Sequence, residues 1–348
     1  MRYGFTTGIC AAAAAKASAI FLTSGKISDT ITVKNLDGYE FVLKVFYEYE
    51  NFFSVIKDSG DDKSDVTNGI KIFARVEILD GIGKIFFEGG EGIGVVTLPG
   101  LKINVGESAI NPIPRKIIEL AVREIISKNS IKILIKIPGG EKIAQKTFNP
   151  RLGIVGGLSI LGTSGFVKPT DEKALLDSLT LELNMISKLG FDRLFITFGN
   201  TGEKAIRKIF SLNTRNVIQT ENYIGYVLDE ALRLNFFHIV ICGHPGKLLK
   251  VAAGSFNTHS KISDGRREAI CTHLALAGAG RELITKIFNA NTTNEAIEII
   301  NLANFNFVWN NIAKIISVKC CERTFYKIKI DVFIIDANEK ILGSFYDE

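Results

Sequence analysis

Leu194-Phe195-Ile196-Thr197-Phe198-Gly199-Asn200-Thr201-Gly202-Glu203 reads as a strand of apolar and β-branched residues that runs into a glycine-bracketed turn and then a helix from Glu203 to Phe210. The same order returns at Phe237 to Cys242, which runs into Gly243-His244-Pro245-Gly246-Lys247. Helical periodicity from Asp171 to Leu189 and from Glu221 to Leu234 fills the intervals. Strands that alternate with helices in this way predict a parallel sheet wrapped by helices, so this part of the chain reads as Rossmann-like α/β. Ligands of open parallel sheets lie beyond the carboxyl ends of the strands, and helix N-termini there offer N–H groups to anions. Gly199, Asn200, Thr201, Gly202, Glu203, Gly243 and His244 are therefore the candidate ligand-binding residues.

Toward the N-terminus the pattern changes. A helix is expected from Thr7 to Leu22, with Thr6 or Thr7 as its cap and Gly25 beyond its end. Period-two stretches at Thr30 to Lys34 and Phe41 to Tyr47 flank Leu36-Asp37-Gly38, a hairpin signal because Asp-Gly accepts positive φ. Strands follow at Ile70 to Leu79, Lys84 to Phe87 and Ile131 to Ile137, with a helix started by Pro112 and Pro114 between the last two. This makes residues 1–149 a mixed α+β domain. The turn residues from Pro138 to Pro150 mark the expected boundary, and 150–348 form the α/β domain. Near its end come helices from Arg266 to Ile300 and a hairpin of Tyr326 to Ile335 with Ile341 to Tyr346.

A length of 348 residues suits two domains, and 46% hydrophobic with 23% charged residues supplies real cores and excludes a disordered chain. The apolar run Ile9 to Ala15 is closed by Lys16, so neither a membrane span nor a secretory signal is expected, and the cytoplasm is the expected location. Five cysteines without paired spacing read as reduced thiols. A net charge of +5 without a dense basic block favours an acidic small molecule over nucleic acid.

Several chemistries lack their signatures. Ile241 stands where a phosphate loop needs its first glycine, and Leu248 where it needs Ser or Thr. There is no GxSxG elbow, no HExxH pair and no Cys/His spacing for zinc, so no protein-bound metal is expected. Gly90 to Gly94 does not have GxGxxG spacing. Asp58, Asp61, Asp62 and Asp65 crowd one segment but miss the EF-hand template, and turn formation accounts for such residues more simply than chemistry does. His238 sits in an apolar strand and reads as a satisfied core residue. His259, in Thr258-His259-Ser260 ahead of Asp264-Gly265-Arg266-Arg267-Glu268, is the better acid–base candidate, although helix capping explains part of that cluster.

Arg2 to Ala11, Gly94 to Leu101, Ala109 to Arg115, Leu161 to Gly165, Gly199 to Glu203, Gly243 to Lys250 and Thr258 to Glu268 together resemble, in order, the CbiD family. The resemblance thins after about residue 300, and the acidic loop is one residue longer than the family form. What it implies is S-adenosylmethionine-dependent methylation of cobalt-precorrin-5B at C1 in the oxygen-independent route to vitamin B12, with cobalt present only as part of the substrate. That substrate is a tetrapyrrole edged with carboxylates. Arg115, Lys247, Arg266 and Arg267 are then its expected carboxylate partners. The macrocycle is expected between the domains, against Thr6, Thr7, Gly8 and Asp61, with His259 or Asp61 handling a proton. Other corrin-pathway enzymes are conceivable partners. A non-catalytic tetrapyrrole carrier or scaffold is the alternative, separated from the enzyme by whether a donor site exists.

Overall fold

Alanine decides the centre of the first unit. In the computed structural model, which describes residues 2–167, 172–191 and 193–347, Ala11 to Ala15 are wholly buried on a helix that sheet and helix neighbours surround. Side chains this small let backbones approach closely on every face, so the helix needs no polar stripe. Its length and composition match a membrane span, yet 67% of it is buried inside the protein. Its one charge, Lys16, reaches the rim, where Nζ donates to the Thr32 carbonyl at 2.8 Å and pairs with Glu124 at 2.5 Å.

The chain divides into compact units of residues 1–174 and 175–348. The first runs β1 (Gly4–Phe5), α1 (Thr7–Ser24), β2 (Thr30–Lys34), β3 (Glu40–Lys44), β4 (Phe46–Tyr49), β5 (Phe52–Ile56), β6 (Lys71–Ile82), β7 (Ile85–Gly89), β8 (Val95–Val96), α2 (Pro112–Arg123), β9 (Asn129–Lys136), α3 (Gly140–Ala144), β10 (Ile154–Val155) and β11 (Phe166–Val167). Its main sheet has the order β4-β5-β6-β9-β7. The pairs are antiparallel except β7 with β9. The β2–β3 hairpin turns at Gly38, as Asp-Gly implied, with Asn35 Oδ1 accepting from the N–H groups of Asp37 and Tyr39. Thr6 caps α1 and Gly25, at φ 66°, ends it, as expected.

The division falls later than the turn-rich 138–150 segment. Residues 150–167 belong to the first unit because its backbone claims them: β10 pairs with β8, β11 with β1, and the Gly8 N–H donates to the Leu161 carbonyl. The glycines here permit close approach rather than mobility. At Gly92, φ is 72° and a Cβ would lie 1.8 Å from the Ile137 carbonyl oxygen.

The division falls in the first turn of α4 (Glu172–Lys188), and the second unit continues with β12 (Arg193–Thr197), α5 (Asn200–Ile209), β13 (Val217–Gln219), α6 (Ile224–Arg233), β14 (His238–Gly243), α7 (Pro245–Ala252), α8 (Arg266–Leu276), α9 (Arg281–Phe288), α10 (Thr293–Leu302), α11 (Val308–Arg323), β15 (Lys329–Ile335) and β16 (Ile341–Phe345). Asp171, the expected start of α4, lies outside the described residues. The sheet order is β13-β12-β14-β15-β16; the first four strands are parallel and β16 turns back as the closing hairpin. This is the expected α/β class. His238 is the satisfied residue expected of it, its ring held between Arg193 Nε at 3.2 Å and Asp331 Oδ2 at 2.8 Å.

Candidate ligand site at the strand ends

Register brings the two glycine loops together. Thr197 of β12 lies opposite both Cys242 of β14 and Gln219 of β13, so the segments after all three strands leave the sheet at one edge. Gly202 lets the start of α5 press on that edge: a Cβ there would stand 3.1 Å from the Cys242 carbonyl oxygen and 3.3 Å from Thr197 Cβ. At Gly199 a Cβ would meet nothing within 4 Å, so this turn borders open space. Gly243 makes room for the Phe198 ring, 2.7 Å from where its Cβ would be.

The polar groups form a network. Gln219 Nε2 donates to Asn200 Oδ1 at 2.9 Å and to Glu203 Oε2 at 2.7 Å, while Glu203 Oε1 accepts from Arg207 Nε at 2.9 Å. Thr201 is exposed on the first turn of α5. His244 caps α7: its Nδ1 accepts from the Gly246 N–H at 3.1 Å, which leaves Nε2–H to donate to Asn294 Oδ1 at 2.9 Å. Burial holds its pKa below the ordinary value, against the raising effects of Asn294 and Asp336. The neutral ring is the form this cap requires. The buried Thr220 hydroxyl, just after β13, has no partner among the described residues, an exception among buried polar groups.

One residue the sequence reading passed over, Asn222, ties three segments. Its side-chain carbonyl accepts from Lys247 Nζ and from Thr258 Oγ1 at 3.3 Å, and its backbone carbonyl accepts from the Thr258 N–H at 2.9 Å. Lys250, also unforeseen, is 3% exposed and donates to the Thr258 carbonyl at 2.9 Å. Burial lowers the pKa of both lysines; the Lys250 charge adds to this at Lys247, and the Arg266 charge at Lys250. Asp264 is held at about 2, chiefly by its hydrogen bond from Arg266. His259 is exposed beyond Thr258, its Nδ1 accepting from the Lys261 N–H at 3.2 Å.

Apart from Arg267 at the start of α8, the remaining expected residues lie in the first unit. Thr6 and Thr7 are buried. The Thr7 hydroxyl is 3.2 Å from the carbonyls of Ser159 and Leu161 and accepts from the Leu161 N–H at 2.8 Å. A Cβ on Gly8 would lie 3.1 Å from the Leu161 oxygen and from Pro114 Cγ. These three residues lock the start of α1 onto the 159–165 segment. Asp61 is exposed and accepts from the Arg2 N–H at 2.7 Å. Its acidic neighbours build turns and ion pairs: Asp58 with Arg2, Asp62 with Ser64, Asp65 with Lys57. Among the described residues no group of three or more His, Cys, Asp or Glu is placed to hold a metal. Arg115 pairs with Glu107 at 2.9 Å and donates to the Ile110 carbonyl on the wall of an open cleft with Lys102 and Lys116.

An open, mostly parallel sheet with polar, glycine-bearing loops gathered at its carboxyl edge defines a protein of the α/β class, in which small ligands generally lie at that edge. The CbiD family model matches residues 1–169, and the model described as CbiD, C-terminal domain, matches 257–345, past the point where the motif resemblance thins. The chain belongs to the CbiD family. A cobalt-precorrin-5B C(1)-methyltransferase of Thermoanaerobacter sp. (strain X514) is 43% identical over 350 residues, covering 99% of this chain and 95% of that protein. The protein of the same name from Alkaliphilus metalliredigens (strain QYMF) is 42% identical, covering 99% and 92%. A crystal structure of cobalamin biosynthesis protein (cbiD) from Archaeoglobus fulgidus is 33% identical, covering 80% of this chain and 85% of that one with a TM-score of 0.40.

Proposed function

We propose that the protein is a cobalt-precorrin-5B C1-methyltransferase with S-adenosylmethionine as its donor, acting in the cytoplasm on the route to cobalamin. The single observation that carries this is full-length identity above 40% to proteins of that name. The strand-end cluster is where we assign the donor. Gly199 borders open space, the Thr220 hydroxyl lacks a partner among the described residues, and the Glu203 carboxylate, held by Arg207 and Gln219, is the group we assign to a ribose or amine of the donor. A bound donor supplies an electrophilic sulfonium methyl.

The work left to the chain is alignment and exclusion of water around an in-line attack by an electron-rich ring carbon. As C1 bonds to the methyl, the sulfur–methyl bond breaks and its electron pair stays on sulfur, so no covalent help from the protein is needed. Gly202 keeps α5 close to the sheet edge, Arg207 and Gln219 orient Glu203, and neutral His244 fixes the 243–246 turn. Lys247, bonded to Asn222, and Arg115, paired with Glu107, are the cations we assign to substrate carboxylates, each exchanging part of its present partner set for the substrate. Acid–base roles for His259 and Asp61 stand as proposals: both are exposed, and near-normal turnover by His259→Ala and Asp61→Ala would remove them.

The test is anaerobic incubation with methyl-labelled S-adenosylmethionine and cobalt-precorrin-5B, read by mass spectrometry of the macrocycle. Label on C1 is expected. Macrocycle binding without donor binding or transfer, with the upstream pathway enzyme supplied, would make the protein a carrier.

A further inference from the structure

Arg266 and Arg267 border a small cleft among α7, α8, α9 and α10, with a cavity volume of about 50 Å³. Its floor is aliphatic: Leu249, Ile270, Ile287 and Ala296, all buried. Its rim carries the two arginines and the start of α10, whose Thr292 cap accepts from the Glu295 N–H at 3.1 Å. The two guanidinium groups differ. Arg266 is neutralised by Asp264, with Nη2 2.9 Å from Oδ2. Arg267 donates to the Ala290 carbonyl at 3.3 Å, and no carboxylate among the described residues pairs with it. The Arg266 charge lowers the pKa of Lys250, so the surroundings are positive despite Asp264.

Size and lining together select a ligand class. Pockets for whole small molecules run from about 300 Å³, so neither a nucleoside nor a tetrapyrrole ring enters. Phosphate would gain from the arginine but nothing from four aliphatic side chains. A short hydrocarbon arm ending in a carboxylate satisfies both, with methylenes on the floor and oxygens on the planar Arg267 fork. We propose that this cleft receives one acetate- or propionate-type arm of the tetrapyrrole substrate and so sets the ring's register in the second unit. The proposal rests on the function assigned above.

The experiment is an anaerobic absorbance titration of cobalt-precorrin-5B into the full chain, with calorimetric titration of S-adenosylmethionine in parallel. It compares wild type with Arg267→Gln, which removes the charge, and Ala296→Leu, which fills the floor without touching charge. Each variant is expected to raise the macrocycle Kd at least tenfold and to leave the donor Kd within twofold. Arg267→Lys is expected to fall between, keeping the charge but losing the fork. Macrocycle affinity within twofold of wild type in both Arg267→Gln and Ala296→Leu would overturn the cleft assignment while leaving methyl transfer intact. A wild-type chain that binds the macrocycle but transfers no methyl would refute the function, and the Kd comparison would still decide the cleft. A wild-type chain that does not bind the macrocycle would overturn both.

Discussion

Replacing Asp65 by Asn tests whether the acidic loop is held by one buried ion pair. Lys57 is 3% exposed and Asp65 17%, their charged atoms are 2.5 Å apart, and Ser59 Oγ bridges them at 2.7 Å to each. Burial alone would push the Asp65 carboxyl up, but hydrogen bonds from Lys57, Thr67 and Ser59, with the Lys57 charge, hold it at about 2 against an ordinary 3.8. At about 1.36 kcal/mol per unit, that drop corresponds to about 2 kcal/mol of pH-linked stability. The sign follows from the depressed folded value: the contribution is fully present above pH 3.8 and lost as pH falls through 2. Asn would also turn an N–H₂ toward a buried ammonium, and breaking a buried pair from one side costs about 3–5 kcal/mol. Urea unfolding of the full chain at pH 7 should show a loss near the lower end of that range. Amide exchange in β5 and β6 should accelerate, because Lys57 follows β5 directly. The double replacement Lys57→Met with Asp65→Leu should recover most of the loss. An Asp65→Asn chain within 1 kcal/mol of wild type, or one that still loses the same stability between pH 4 and pH 2, would refute the reasoning.

Three further outcomes are expected. Glu203→Ala should weaken S-adenosylmethionine binding about tenfold or more, the worth of a hydrogen bond to a charged group, and unchanged calorimetric affinity would remove Glu203 from the donor site. His244→Ala should cost about 1 kcal/mol through the lost α7 cap; because burial depresses the His244 pKa, its stabilising contribution should be full above pH 6.5 and decline below it, and thermal melts of wild type and variant from pH 7.5 to 5 would expose the difference. Ala13→Leu should destabilise by about 1–3 kcal/mol, since Ala13 has no exposed surface and α1 no free face, and a melting temperature equal to wild type would show that the helix is loosely packed.

What the sequence disclosed tracks how local each signal is. Asp37-Gly38, Thr6 with Gly25 and the two strand-to-glycine transitions act over a few residues, and their elements stand where the residues placed them. Other elements were less legible. The expected strand Phe41 to Tyr47 is two strands parted at Val45. β5 follows a turn in which Glu50 and Asn51 both take positive φ without the usual glycine, so no hairpin signal marks it. β13 is three residues long, too short for period two to register, yet it delivers Gln219, Thr220 and Asn222 to the carboxyl edge. Those residues organise Glu203, Lys247 and Thr258 through bonds that span 16 to 36 positions, and no spacing rule reaches that far. Thr6, Thr7 and Gly8, expected to meet the macrocycle, have a packing role of their own. A polar, glycine-bearing segment is equally what a buried helix start needs when it must bond to another loop at close range. Burial differs between the two places: the Thr7 hydroxyl accepts from the Leu161 N–H and has the Ser159 and Leu161 carbonyls in reach of its proton, whereas Gly199 faces open space in the second unit. Thr220, whose buried hydroxyl has no partner among the described residues, stands at the end of β13, the strand that also brings Gln219 to Glu203, and it is on these strand ends that the donor proposal rests.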